Sequence, residues 1–170
     1  MISKKLQDAI NDQISFEIAS GIIYKAMAAY FASEDLPGFE HWMETQYQEE
    51  LFHSEKFAAY VNDAGGRVKY LAMDAPKNDY KSPLDAFENA LKHEQLVTSR
   101  INKLMGIAKD ENDFAAQICL QWFITEQVEE EATFGRIIAE LKRIKDDGRG
   151  LIMLDRELAQ RTFTPPTTGA

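Results

Sequence analysis

Apolar residues recur along the chain with alternating steps of three and four, the spacing that lays one buried stripe along a helix. The first stripe reads Ile10, Ile14, Glu17, Gly21, Tyr24, Ala28, Phe31. The second reads Phe39, Met43, Gln46, Glu50, His53, Phe57, Tyr60, Ala64. The third reads Phe87, Leu91, Glu94, Thr98, Ile101, Met105, Ala108. The fourth reads Ala116, Leu120, Phe123, Gln127, Glu130, Phe134, Ile137, Leu141, Ile144. Breaks fall at Leu36-Pro37-Gly38, at Ala64-Gly65-Gly66, between Met73 and Pro83, and at Asp147-Gly148-Arg149-Gly150, with a weaker polar break from Lys109 to Asp113. The pattern predicts helices over 4–33, 37–64, 83–110 and 114–146, a short fifth helix over 151–160, and an irregular tail carrying Pro165-Pro166. Almost nothing alternates with period two, so the fold class is all-α. A single domain over 1–162 with a tail over 163–170 is expected.

Connection lengths set the topology. The first and third connections are short, so each joins antiparallel neighbours. The second, Gly65 to Ser82, has 18 residues and reaches roughly 60 Å when extended. A helix of the predicted length is roughly 42 Å long. The second connection can therefore cross the whole bundle and set helices two and three parallel. The expected architecture is a four-helix bundle with one long crossover and a short C-terminal fifth helix.

Each stripe is interrupted once by strongly polar residues, always near mid-helix: Glu17, then Glu50 with His53, then Glu94, then Gln127 with Glu130. Mid-helix positions share a level whichever way the helices run, so these side chains meet in one interior layer. A lone Glu on a stripe is ordinarily a rim residue. Four acids and an imidazole in one layer are different, because buried unpaired carboxylates are costly and repel each other. No Lys or Arg lies on these stretches of the stripes to neutralise them, so a multivalent cation is expected. An oxygen-rich set with one imidazole suits iron or manganese better than copper or a thiolate zinc site. Single Glu residues from two helices with i, i+3 pairs from the other two form the pattern of a dinuclear carboxylate centre. Here the pairs are Glu50-x-x-His53 and Gln127-x-x-Glu130, so the two metal positions are inequivalent. Glu17, Glu50 and His53 would hold one ion tightly; Glu50, Glu94 and Glu130 would hold the other more weakly. Nearby Glu49, Glu126 and Glu129 read equally as a solvated acidic face or as a third, looser site, and Glu131 reads as solvated. Tyr24 is either a core aromatic or a hydrogen-bond partner of the ligands and an electron donor. Trp122 reads as packing, Cys119 and the methionines as packing or surface residues, and His41 and His93 as surface residues or neighbours of the ligands.

Composition narrows the function classes. Nineteen basic against 28 acidic residues give a net charge of −9, which disfavours nucleic acid and anionic lipid and attracts cations. One cysteine excludes an intrachain disulfide and any Cys-rich zinc or iron–sulfur site. No apolar run is long enough for a membrane span. Met1-Ile2-Ser3-Lys4-Lys5 leads into mixed polar sequence, so a cytoplasmic location is expected.

The chain resembles the non-haem bacterial ferritins over nearly its whole length, from Leu6 to about Leu158. The resemblance is carried by Gln48-Glu49-Glu50-x-x-His53, by Lys92-His93-Glu94-Gln95, and by Leu120-Gln121-Trp122-Phe123-x-x-Glu126-Gln127-x-Glu129-Glu130-Glu131. Gly150-Leu151-x-x-x-Asp155-x-Glu157-Leu158 resembles the start of that family's fifth helix. The resemblance implies Fe(II) oxidation by O2 or H2O2 coupled to mineral storage in a homo-oligomeric shell of 24 subunits. It assigns the paired ferroxidase positions to Glu17, Glu50, His53, Glu94 and Glu130, with Gln127 close by. It assigns a third iron position to Glu49, Glu126, Glu129 and Glu130. Bacterioferritins would have Glu and His where Gln127 and Glu130 stand, and a haem-binding Met where Phe52 stands, so no haem is expected. The DNA-protecting mini-ferritins lack the fifth helix, and rubrerythrin-type proteins need a Cys cluster. The alternative function is a di-iron or manganese oxidase or peroxidase that retains its metals and forms no mineral.

Overall fold

A computed structural model describes residues 1–165. The elements are α1 (Lys4–Ser33), α2 (Pro37–Asp63), α3 (Pro83–Asp110), α4 (Phe114–Ile144) and α5 (Gly148–Leu158). All are helices, as the stripes predict. Residues 161–165 have no regular structure; of the expected tail over 163–170, 166–170 lies outside the described residues. Among the four bundle helices, α1, α3 and α4 start on side-chain caps: Ser3 Oγ accepts from Leu6 N, Ser82 Oγ from Asp85 N, and Asp113 Oδ1 from Ala116 N. Each satisfies an amide that the first helical turn leaves without a partner. The fifth helix begins three residues earlier than expected. Asp147 Oδ1 accepts from Arg149 N at 3.0 Å, so the two glycines fall inside a capped first turn instead of a loop.

α1 packs chiefly on α2, α3 on α4, and α5 against α2 and α4. Every residue of the first stripe is buried, and so is the fourth stripe through Leu141. Two apolar clusters fill the bundle on either side of the polar layer. One centres on Phe31, Phe39, Phe87 and Phe134, the other on Ile14, Phe57, Ile101 and Phe123. Among the described residues, no helix is long and apolar enough to cross a membrane.

The long crossover runs extended along α1, clipped by a polar row. Arg67 N donates to Gln7 Oε1, Lys69 N to Asn11 Oδ1, and Leu71 N to Ser15 Oγ, at 2.8–3.0 Å. Four helical residues rise about 6 Å and two extended residues about 6.6 Å. Every fourth side chain of α1 therefore meets every second amide of the crossover.

α2 has no cap of its own, since Leu36 offers no side-chain oxygen. Asp155 of α5 supplies one: its Oδ1 accepts from Gly38 N at 2.8 Å and Phe39 N at 3.0 Å. The approach is close enough that a Cβ on Gly38 would stand 1.7 Å from the Asp155 carbonyl oxygen. Gly38→Ala is therefore expected to push α5 off α2, exposing Leu154 and Leu158. Overpacking of this kind costs about 2 kcal/mol. Thermal melting checks it, and an unchanged melting temperature with α5 still docked would refute it.

Candidate metal centre

The polar layer is buried as the spacing requires. Glu17, Glu50, His53, Glu94, Gln127 and Glu130 are all at most 5% exposed. Gly21, one turn beyond Glu17, keeps α1 close to α2 here: a Cβ on it would meet Tyr47 Cδ2 at 3.2 Å and Glu50 Cβ at 3.5 Å. Glu17, Glu50 and His53 each bring a ligand atom within 4.8 Å of the others, the one such group among the described residues. His53 Nδ1 stands 3.7 Å from Glu50 Oε2. The imidazole is fixed edgewise by Trp122 and Phe123, with ring centroids 5.5 and 5.9 Å away. Trp122 thus acts as a wall behind His53.

The carboxylates of this group are only half satisfied. Glu17 Oε1 accepts from Gln13 Nε2 at 2.8 Å and Glu50 Oε1 from Gln46 Nε2 at 3.3 Å. Glu17 Oε2 and Glu50 Oε2 are buried with no partner. Free lone pairs on two buried carboxylates beside an imidazole are the donor set of a hard-to-borderline cation. A metal fits this position by its chemistry.

The second position is braced differently. Glu94 Oε1 accepts from the Tyr24 hydroxyl, and Glu94 Oε2 from Gln127 Nε2 at 3.0 Å. Gln127 Nε2 also lies 3.2 Å from the Glu94 carbonyl oxygen and 3.4 Å from Thr98 Oγ1. Its amide therefore holds Glu94 in place. Glu130 Oε1 accepts from Gln46 Nε2 at 3.0 Å, so Gln46 spans Glu50 and Glu130. Glu94 and Glu130 sit in the layer without joining the tight three-residue group.

Electrostatics follow from burial. Desolvation raises the Glu17 carboxyl above its ordinary range. It raises Glu50 well above, with the charges of Glu17 and Glu130 adding. It does the same for Glu94, with Glu50 and Glu130 adding. The Tyr24 phenol is likewise pushed well up, by burial and then by Glu94, so it stays protonated and donates. His93 stacks on Phe16 at 5.3 Å and meets Ser20 Oγ at 2.8 Å; burial lowers it to about 4.

The acids beside the layer do not close into a ligand-spaced group. Glu49 and Glu126 are half-buried and Glu129 is exposed. Burial lifts the Glu49 carboxyl to about 7, against the pull of Arg161. Glu131 accepts from Thr98 Oγ1 at 2.6 Å.

Three participants escaped the sequence reading. Gln46 lies on the second stripe, one turn before Glu50, and was given no role there. Gln13 lies one turn before Glu17 but beside the stripe; its Oε1 accepts from Arg100 Nε at 2.8 Å, which turns its Nε2 toward Glu17. Arg161, just past the predicted end of the fifth helix, carried no signal.

Comparison with known proteins bears on the same layer. The ferritin-like domain model matches residues 7–144. The bacterial non-heme ferritin of Staphylococcus aureus strain MRSA252 is 43% identical over 163 residues, covering 96% of this chain and 98% of the relative. That of Staphylococcus haemolyticus is 42% identical over the same length. Among solved structures, the open pore ferritin of the hyperthermophilic archaeon Archaeoglobus fulgidus aligns with a TM-score of 0.94 and 46% identity, covering 95% of this chain and all of that one. A closed form of that ferritin, engineered by site-directed mutagenesis, aligns with a TM-score of 0.95 and 46% identity over 96% of this chain.

Proposed function

The chain belongs to the ferritin family, and we propose on that premise that it oxidises Fe(II) at the polar layer and stores the Fe(III) as a mineral. Iron is the substrate and the cargo. Glu17, Glu50 and His53 hold the first Fe(II), and Glu50 with Glu94 and Glu130 hold the second. Glu50 faces both. Glu49, Glu126 and Glu129, with Glu130, form a looser third position. Two unpartnered carboxylate oxygens beside His53 carry this reading; an apolar or ion-paired core would leave none.

The roles of the protein's groups follow from their contacts. The carboxylates neutralise the ions and hold two of them close enough for each to give one electron to dioxygen. Gln13 and Gln46 fix one oxygen each of Glu17 and Glu50 and leave the other free for metal. Tyr24 and Gln127 hold Glu94 by donating to its two oxygens, so Tyr24 acts as an orienting phenol. The second position has no imidazole, which weakens its hold on iron and favours passage of Fe(III) onward. Hydrolysis of Fe(III) then releases protons and builds the oxyhydroxide. Mineral storage needs an enclosed space, and from the likeness to the non-haem ferritins we infer a homo-oligomeric shell of 24 subunits acting in the cytoplasm.

The test is anaerobic Fe(II) loading followed by air, with iron stoichiometry and particle mass measured together. Two Fe(II) per chain oxidised in a fast phase, then continued uptake into a particle of about 24 chains, is expected. A monomer or dimer that retains two metals and forms no mineral would replace this reading with a resident-metal oxidase.

A further inference from the structure

Beyond α5 the chain turns back along α2 and is fastened at three levels. The Arg161 carbonyl oxygen faces His41 Nε2 at 2.8 Å. The Arg161 guanidinium lies 4.0 Å from the Trp42 ring centroid and donates through Nη1 to the Trp42 carbonyl at 3.4 Å. Its Nη2 forms an ion pair with Glu49 Oε2. Two residues on, Phe163 packs on Phe52, with centroids 5.8 Å apart. Both ends of the ion pair are well shielded: the Arg161 side chain is 17% exposed and that of Glu49 is 15% exposed. Glu49 adjoins Glu50 and lies within the field of Glu130 and Glu126. The guanidinium thus reaches the third, looser position through the one acid there that α2 supplies.

We propose that Arg161 is a built-in competitor for that position: a fixed cation that occupies Glu49, so that a metal ion binds there only by displacing it. The inference rests on the metal reading of the layer given above. An arginine cannot shed its proton in a protein, so it yields Glu49 only by moving away. Stacking on Trp42 and the anchor at Phe163 favour its return. A multivalent ion can win because it recruits Glu126, Glu129 and Glu130 along with Glu49, whereas the guanidinium engages one carboxylate. Occupancy of the third position is therefore set lower than its acids alone would give, and its ions remain exchangeable. Arg161 itself contacts no ligand of the first two positions; the second and third positions meet only at Glu130.

The experiment titrates Zn(II), which air does not oxidise, into the metal-free full-length protein, resolving successive ions by calorimetry. In Arg161→Gln the third ion is expected to bind about tenfold tighter, since a charged hydrogen-bonded competitor has gone. The first affinity should not change, and the second should move only through the shared Glu130. Arg161→Lys keeps the charge but loses the planar fork and the ring stacking, so it should fall between the two. Glu49→Gln should remove the third ion whether or not Arg161 is present. Unchanged or weaker third-ion binding in Arg161→Gln, with melting temperature intact, would overturn the proposal. Should that variant melt early, the Arg161→Lys affinity decides: no gain over the natural chain refutes the competition. If the natural chain takes up no Zn(II) at all, the metal reading itself fails, and this inference with it.

Discussion

Replacing Glu50 by glutamine is expected to lower the initial rate of Fe(II) oxidation by about two orders of magnitude, on the order of 3 kcal/mol in the barrier. Glu50 is the one residue that faces both proposed iron positions. Its Oε2 is buried and unpartnered, within ligand reach of Glu17 and His53. Its Oε1 shares the Gln46 amide with Glu130 on the other side. Glutamine keeps the volume and one carbonyl oxygen but loses the charge and the second acceptor. Both irons are then held more weakly and by fewer shared atoms. His53→Ala should weaken the first ion chiefly, and Glu130→Gln the second, so only Glu50→Gln should depress both in an anaerobic titration. Stopped-flow oxidation in air checks the rate. A near-natural rate with two ions bound in Glu50→Gln would show that the carboxylate does not join the two positions.

The proposed ligands were legible because helical periodicity states which face a residue occupies. Glu17, Glu50, His53, Glu94 and Glu130 all fall on the stripes, and a stripe in a four-helix bundle faces one shared axis. Fold class, helix number and the crossover came from the same source, with the loop length deciding parallel from antiparallel. Periodicity does not say what a neighbouring amide donates to. Gln46 and Gln13 each precede a ligand by one turn, yet only atoms in space reveal that one bridges two acids and the other is oriented by Arg100. Nor does it report contacts brought by distant chain. Asp155 caps α2 from across the molecule, and Arg161 reaches Glu49 from beyond the last helix. The acidic run from Glu126 to Glu131 marks the limit of facing arguments. Glu126 and Glu129 share a face by spacing, but one is half-buried and the other exposed.

The metal-free protein is expected to lose stability as pH rises past the ordinary His value of 6.5, and Glu94→Gln to recover part of that loss. Burial first, then mutual repulsion, raises Glu50 and Glu94 well above the ordinary Glu range near 4.5. The unfolded chain therefore releases these protons at lower pH than the fold does. Over that interval the folded state binds more protons than the unfolded state, so unfolding becomes easier as pH climbs, until the buried groups ionise. Other groups act elsewhere on the scale. His93, lowered to about 4, opposes the trend only below its ordinary value of 6.5, and Asp85, lowered from 3.8, acts only at still lower pH. Glu49, raised to about 7, contributes to the fall at the start of the window. Glu94→Gln removes one carboxyl that must otherwise be buried, while its amide can still accept from Tyr24. It should raise metal-free stability at pH 8 by on the order of 2 kcal/mol and slow Fe(II) oxidation. Saturation with Zn(II) should flatten the natural profile, because the metal takes over the neutralising role of the protons. Thermal melts across pH, with and without Zn(II), provide the test. A metal-free profile that stays level or rises over this window, or a Glu94→Gln protein that melts earlier at pH 8, would mean that the layer is not a set of unneutralised acids awaiting cations.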